Sequence, residues 1–306
     1  MKILKIAIAF VIIGFDCIAQ NNSLLKTQFD NEKWTEYIEG NMPLIISVPH
    51  GGSIVLNEVP LRECKRAVTV TDSKTIELAR EIQKAFIKRY KLSPHIVICH
   101  LSRKNIDQNR ELQEGTCSNK LMQKPWNQFH HYLDSALTVA TAQFGKAIFI
   151  DLHGHGHINQ RLELGYLLKG EELVDLENTF NNYELKNKSS MKNKLPSGDN
   201  YAQFKELLIG DNAFGTIISG NGYPAVPSKQ DKAPLENEKY FDGGYNTIYF
   251  TSSKYPKVFG FQIESNYKGV RDEVGRPLFA KAFAKSFMKY MEKNTEKRSK
   301  NSSDKN

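Results

Sequence analysis

The sequence predicts an α/β fold: three layers, α/β/α, around a mostly parallel or mixed central sheet. Two observations predict it. Short apolar runs, mostly rich in β-branched residues, alternate with longer amphipathic stretches, as in a sheet covered by helices on both faces. The unusual polar clusters of the chain also come directly after those apolar runs, where open parallel sheets collect their ligands.

The elements follow in order. "PLIISV" (43–48), "HIVICHL" (95–101), "KAIFIDL" (146–152) and "VFGFQIE" (258–264) read as buried strands. Between the first two, residues 71–90 place Ile76, Ala79, Ile82, Phe86 and Tyr90 on one helical face. Residues 125–145 open with Pro125 and close with Gly145, the usual punctuation of a helix. Residues 276–293 read as a last helix. The stretch 171–201 is polar and weakly patterned, and reads as an insertion or lid inside one domain spanning 20–292, with a polar tail at 293–306. Residues 219–234 and 241–247 are Gly-rich loops, and no internal repeat is seen.

The first nineteen residues differ in kind. Lys2 and Lys5 lead into "IAIAFVIIGF" and a small-residue exit at Ala19, which fits a secretory signal peptide and an exported protein, periplasmic or secreted. Cys17 raises the rival reading of a lipoprotein, which the neighbouring Asp16 disfavours. The apolar run is too short to span a bilayer, so no integral membrane span is expected after signal removal. The formal charge of +8 becomes +7 once Lys2, Lys5 and Asp16 are removed. That excess favours acidic substrates or anionic surfaces. No basic face with interleaved aromatics stands out, so nucleic acid is not an expected partner. Cys64, Cys99 and Cys117 remain, too few for a disulfide framework but compatible with one bridge in an oxidising compartment.

Four polar clusters close the four strands: "PHGG" (49–52), "SRKNIDQNR" (102–110), "DLHGHGH" (151–157) and "IESN" (263–266). His50 and His153, each at a strand end, read as metal ligands. Two imidazoles and a carboxylate make a three-ligand zinc site with an open position for water. The carboxylate candidates are Asp72, whose plainer reading is a helix N-cap, and Glu58, Glu77 and Asp151. Asp151 is also placed to orient the imidazole of His153, and His155 and His157 read as substrate contacts or loop structure. Glu264 would be costly to bury without a purpose, and a general base beside a metal-bound water supplies one. Arg103, Asn109 and Arg110 share one loop and suit a carboxylate, with Asp107 holding one of the arginines in place. Arg271 is a weaker addition.

On these residues the chain resembles the N-formylglutamate amidohydrolase family. The resemblance rests on "SVPHGG", "TDSKTIELA", "SRKNIDQNR", "IDLHGHGH" and "FQIESN", in that order, across about residues 43–271. It implies a fold similar to zinc-dependent exopeptidases of the carboxypeptidase type and one zinc ion or another divalent metal. It also implies hydrolysis of the amide bond of an N-acyl amino acid such as N-formylglutamate. The family pattern matches His50, His153 and Asp72 to the metal ligands and Glu264 to the base. It matches Arg103, Asn109 and Arg110 to the grip on the substrate, with an arginine such as Arg103 also neutralising the developing oxyanion. The expected partner is then a small molecule or peptide bearing a carboxylate. Two departures stand out: Ser53 occupies the place of the glutamate that the carboxypeptidase pattern puts three residues after the first His, and the chain reads as exported. Two rival functions follow, an exported peptidase or amidase acting on wall peptides or γ-glutamyl material, and a non-catalytic binding protein on the same scaffold.

Overall fold

A computed structural model describes residues 26–178, 183–196, 198 and 201–295. The leader read at 1–19, Cys17 and all but the start of the tail at 293–306 lie outside the described residues.

In chain order the elements are β1 (Thr27–Phe29), β2 (Thr35–Ile38), β3 (Leu44–Val48), α1 (Thr75–Tyr90), β4 (His95–Cys99), α2 (Leu112–Gly115), α3 (Lys120–Phe144), β5 (Ala147–Gly154) and β6 (Leu162–Gly165). There follow α4 (Gly170–Asn178), α5 (Tyr183–Lys188), α6 (Tyr201–Ile209), α7 (Phe214–Ser219), β7 (Ala225–Val226), α8 (Tyr245–Phe250), β8 (Val258–Ser265) and α9 (Gly275–Thr295). The strands form one sheet in the order β1-β2-β4-β3-β5-β8-β6-β7. Its centre, β4-β3-β5-β8, is parallel, while β2 runs antiparallel to β4 and β6 antiparallel to β8. The fold is α/β and the sheet is mixed.

Alternation along the central strands divides the core. Leu44, Ile46, Val48, Ile148, Ile150, Phe261 and Ile263 face one layer, against Leu78, Ile82 and Phe86 of α1 and Phe279, Phe283 and Phe287 of α9. Ile45, Val97, Cys99 and Phe149 face the other, against Phe129, Leu133 and Leu137 of α3 and Phe250 of α8. Each large side chain sealed in this way contributes roughly 1.5–3 kcal/mol relative to exposure. Among the described residues no helix is long and apolar enough to cross a membrane.

Three expectations are corrected. Helix α3 starts at Lys120 rather than at Pro125, because the Asn119 side chain accepts the Leu121 N–H (2.9 Å) and caps the helix a turn earlier. The described part of 171–201 is not polar surface throughout: it also lends side chains to the core. Leu173, Leu176, Leu185 and Met191 are buried under the sheet. Ser190 Oγ donates to Gly260 O (2.6 Å) and Asn193 Nδ2 to Val258 O (2.9 Å), at the start of β8 and away from its polar end. The 219–234 loop contains a short strand, β7, that extends the sheet beyond β6.

Candidate metal centre

His50 lies two residues beyond β3, and His153 is the seventh residue of β5. Parallel pairing brings these two strand ends side by side, and Asp72 arrives on the turn before α1, where it is buried. The atoms converge closely. His50 Nδ1 is 3.2 Å from His153 Nδ1, and Asp72 Oδ2 is 3.0 Å from His153 Nδ1 and 3.6 Å from His50 Nδ1.

The far side of each ring explains what those atoms are. His50 Nε2 lies 2.6 Å from Asp107 Oδ1, and His153 Nε2 lies 2.9 Å from Asp151 Oδ2. Ionised carboxylates only accept, so both Nε2 atoms carry a hydrogen, and in the neutral rings both Nδ1 atoms present lone pairs; without a cation, His153 Nδ1 carries a proton toward Asp72. Two imidazole lone pairs and a carboxylate oxygen therefore face one point, an arrangement that repels itself unless a cation or a proton sits there. The edge of a tetrahedron around zinc, at Zn–N of ~2.0–2.1 Å, is about 3.3 Å, and the three separations bracket it. The donor set fits a zinc-like ion, with the imidazoles oriented from behind by carboxylates, as metal-binding histidines usually are.

The charges behave accordingly. Burial would raise the Asp72 carboxyl, but hydrogen bonds from His153 and His50 outweigh it and hold the group well below the usual carboxylate range. Burial would lower the His153 imidazole, but Asp151 and Asp72 hold it well above its ordinary value. For Asp107, burial is overcome by His50, Arg103 and Arg62, and the carboxyl stays ionised.

Asp72 is not the helix cap; Lys74 occupies that position, and the Asp72 side chain also accepts the Gly154 N–H (3.2 Å). Of its rivals, Glu58 is exposed, Glu77 pairs with Lys74, and Asp151 stands behind His153. Glu264, the penultimate residue of β8, lies directly opposite His153 in the strand register and is 6 % exposed. Burial, with Asp72 and Glu163 adding to it and His153 opposing, pushes its carboxyl up to about 8. Gln262 Nε2 donates to its Oε1 at 2.9 Å.

The three residues assigned to a substrate grip part company. Arg103 donates from Nε to Asp107 Oδ2 (2.9 Å), and its terminal nitrogens make no hydrogen bond among the described residues. Arg110 is a third exposed, faces Glu114 (Nε to Oε1 3.4 Å) and donates from Nη1 to Asn109 O. Asn109 is buried in the scaffold: its Oδ1 accepts the Asn246 N–H (2.8 Å) and its Nδ2 lies 3.2 Å from His153 Nε2. The geometry thus sets Asn109 behind the second imidazole, not at an open carboxylate site.

Several contacts lie outside the sequence reading, some of them made by residues it names. Asp107 secures His50 as well as Arg103, and Arg62 Nη1 lies 3.6 Å from its Oδ2 while donating to Val68 O and Arg103 O. The Cys64–Cys117 disulfide closes this region (Cα–Cα 5.6 Å), and Cys99 is buried and free. Asn246, in "GGYNT", reaches Asp151 with its amide nitrogen (3.4 Å). Arg271 is buried and ties three site segments together. Its Nε donates to Ser265 O (3.0 Å), Nη1 to Ser73 O (2.5 Å) and Nη2 to His155 O (2.8 Å). Its guanidinium lies against Gly154, where any Cβ would collide with it, so the glycine after His153 is a packing requirement. Gly156 meets nothing. No signal in a single sequence marks Arg62 or Asn246, which sit in stretches without periodicity.

Comparison with known proteins gives a sparse picture. No protein-family model matches the chain, and no curated protein does. Among solved structures, N-formylglutamate amidohydrolase from Ralstonia eutropha JMP134 is similar over 84% of this chain and 94% of its own, at 13% identity and a TM-score of 0.47. A gene product from Agrobacterium tumefaciens is similar over 83% of this chain and 92% of its own, at 10% identity and a TM-score of 0.48.

Proposed function

We propose that this chain is a metal-dependent amidohydrolase acting on an N-acyl amino acid, with His50, Asp72 and His153 holding a zinc-type ion. One observation carries the reading: three lone pairs, on His50 Nδ1, His153 Nδ1 and Asp72 Oδ2, converge within 3.6 Å of one another, and both imidazoles are anchored by buried carboxylates. When bound, such an ion supplies a Lewis acid and makes a water acidic enough to attack near neutral pH. The chain does the rest. Glu264, in a nearly dry position where a neighbouring cation would favour its ionised form, takes up the proton of the attacking water. Arg103, fixed through its Nε by Asp107, offers its terminal nitrogens to the oxyanion or to a substrate carboxylate. Arg62 stabilises Asp107, which keeps the His50 tautomer fixed.

The motif resemblance supports a small N-acyl amino acid such as N-formylglutamate. One observation favours the peptide-directed alternative, a wall-peptide or γ-glutamyl hydrolase. Of the three residues assigned to the carboxylate grip, Asn109 is engaged in the scaffold and Arg110 turns to Glu114 and the Asn109 carbonyl, which leaves Arg103 with both terminal nitrogens unengaged among the described residues. The Cys64–Cys117 bridge supports an exported protein, because disulfides persist in oxidising compartments.

The test is metal content and turnover of the purified protein beside His153→Ala and Glu264→Gln, on a panel of N-acyl amino acids and short peptides. About one zinc per chain is expected in wild type and little in His153→Ala. Glu264→Gln should keep the metal and lose ~10²–10⁴ in turnover. No metal in any of the three after reconstitution refutes the proposal.

A further inference from the structure

A second cluster lies beside the first. His155, His157 and Glu163 bring one ligand-type atom each within 4.8 Å of one another, which suggests another metal at first sight. The rings argue otherwise. His155 Nε2 lies 2.8 Å from Arg161 O and must donate to it, and His155 Nδ1 accepts the His157 N–H (3.1 Å). Both nitrogens of His155 are engaged, so that ring fixes the loop. His157 differs. Its Nδ1 lies 2.7 Å from Glu163 Oε1, its ring stacks on Phe241 (centroids 4.8 Å, 14°), and its Nε2 makes no hydrogen bond among the described residues. Glu163 is buried and is itself held, its Oε2 accepting the Phe241 N–H at 2.8 Å. The carboxylate therefore fixes the tautomer and direction of the ring, as an orienting acid does for a catalytic histidine.

The sheet places this pair at the site. Glu163 of β6 is the register partner of Glu264 of β8, which is in turn the register partner of His153 of β5. The three side chains share one face at strand spacings of ~4.8 Å.

We propose that His157, oriented by Glu163, is the acid that protonates the leaving nitrogen in the amide hydrolysis put forward above, on which this inference rests. As the C–N bond of the tetrahedral adduct breaks, its electron pair goes to nitrogen. The proton on His157 Nε2 moves to that nitrogen, and the amine departs neutral. His157 is left as the neutral imidazole with its Nδ1–H on Glu163 and takes its next proton from solvent, while Glu264 releases the proton it took from water. The two proton transfers thus belong to two groups on adjacent strands.

The test compares two substrates in wild type, His157→Gln and Glu163→Gln. One is the N-acyl amino acid. The other is an aryl ester of the same acyl group with a carboxylate on the ring, whose phenolate leaves without being protonated. In His157→Gln the amide kcat/KM should fall ~10²–10⁴-fold further than the ester kcat/KM, with metal content unchanged. Glu163→Gln should lower the same ratio by a smaller factor. Equal losses on both substrates, or no loss, overturn the role, and loss of metal in His157→Gln would make the residue a ligand. A metal-loaded wild type that cleaves neither substrate overturns the amidohydrolase reading together with this one.

Discussion

Asp107 is fully buried, and its two oxygens serve opposite sides of the site. Oδ1 takes the His50 ring (2.6 Å) and the Asn109 N–H (2.9 Å). Oδ2 takes Arg103 Nε (2.9 Å) and faces Arg62 Nη1 (3.6 Å). Asp107→Asn keeps the shape and removes the charge, with two separable consequences. Toward the metal, an amide oxygen orients His50 less firmly than a carboxylate, and losing such a partner typically weakens metal affinity ~10–100-fold, or ~1.4–2.7 kcal/mol. Toward the arginines, the Arg62 side chain is only 2 % exposed and would lose its anionic partner. Removing one member of a buried pair costs ~3–5 kcal/mol. At ~2–4 °C per kcal/mol for a domain of this size, melting of the chelated protein should drop by roughly 6–20 °C. Asp151→Asn is the control, because Asp151 contacts His153 and Asn246 and no arginine among the described residues. It should weaken metal binding similarly and melt closer to wild type, because His153 can shed its proton when the carboxylate is lost whereas a guanidinium cannot. Zinc affinity by competition with a chelating dye and thermal melts of the chelated proteins read the two effects. Equal melting temperatures for the two variants, or wild-type zinc affinity in Asp107→Asn, would refute the reasoning.

Two more outcomes follow from the same geometry. Glu264 holds its proton up to about 8 in the fold against 4.5 for the free side chain. The folded state therefore binds the extra proton between those values, and stability of the chelated protein should fall as pH rises through that window, by up to ~4 kcal/mol. Melts at pH 5 and pH 8 should show that loss in wild type and not in Glu264→Gln; parallel slopes would mean that the carboxyl titrates normally. Gly154→Ala drives a methyl into the Arg271 guanidinium and should cost ~1–3 kcal/mol and weaken zinc binding through Asp72. Gly156→Ala meets nothing and should stay within ~0.5 kcal/mol. Similar urea midpoints for the two would contradict the packing.

Much of this was legible along the chain because it is local. The four central strands, α1 and α9 lie within a few residues of where their apolar periods put them, and the polar clusters do close those strands. The Asp151–His153 pairing was readable too, since residues two apart on a strand share a face. The start of α3 was misread because Pro125 looks like a helix opening, while the Asn119 cap lies outside the pattern that a Pro signals. The polarity of 171–201 hid Leu173, Leu176 and Leu185, whose burial depends on which face of β8 lay open.

Local pattern along the chain carries the α/β order, the strand-end positions of His50, His153 and Glu264, and the set of acids that could join the two imidazoles. The packed fold alone brings Asp72, rather than the other acids, to the two imidazoles, sends Asp107 to the back of His50, engages Asn109 in the scaffold and leaves one His157 nitrogen without a hydrogen bond among the described residues. The reason is physical. His50 and His153 are 103 residues apart and His153 and Asp72 are 81 apart, and periodicity carries no information over such separations. Which atoms meet is set by strand order and register, through the hydrogen bonds that align β3, β5, β8 and β6.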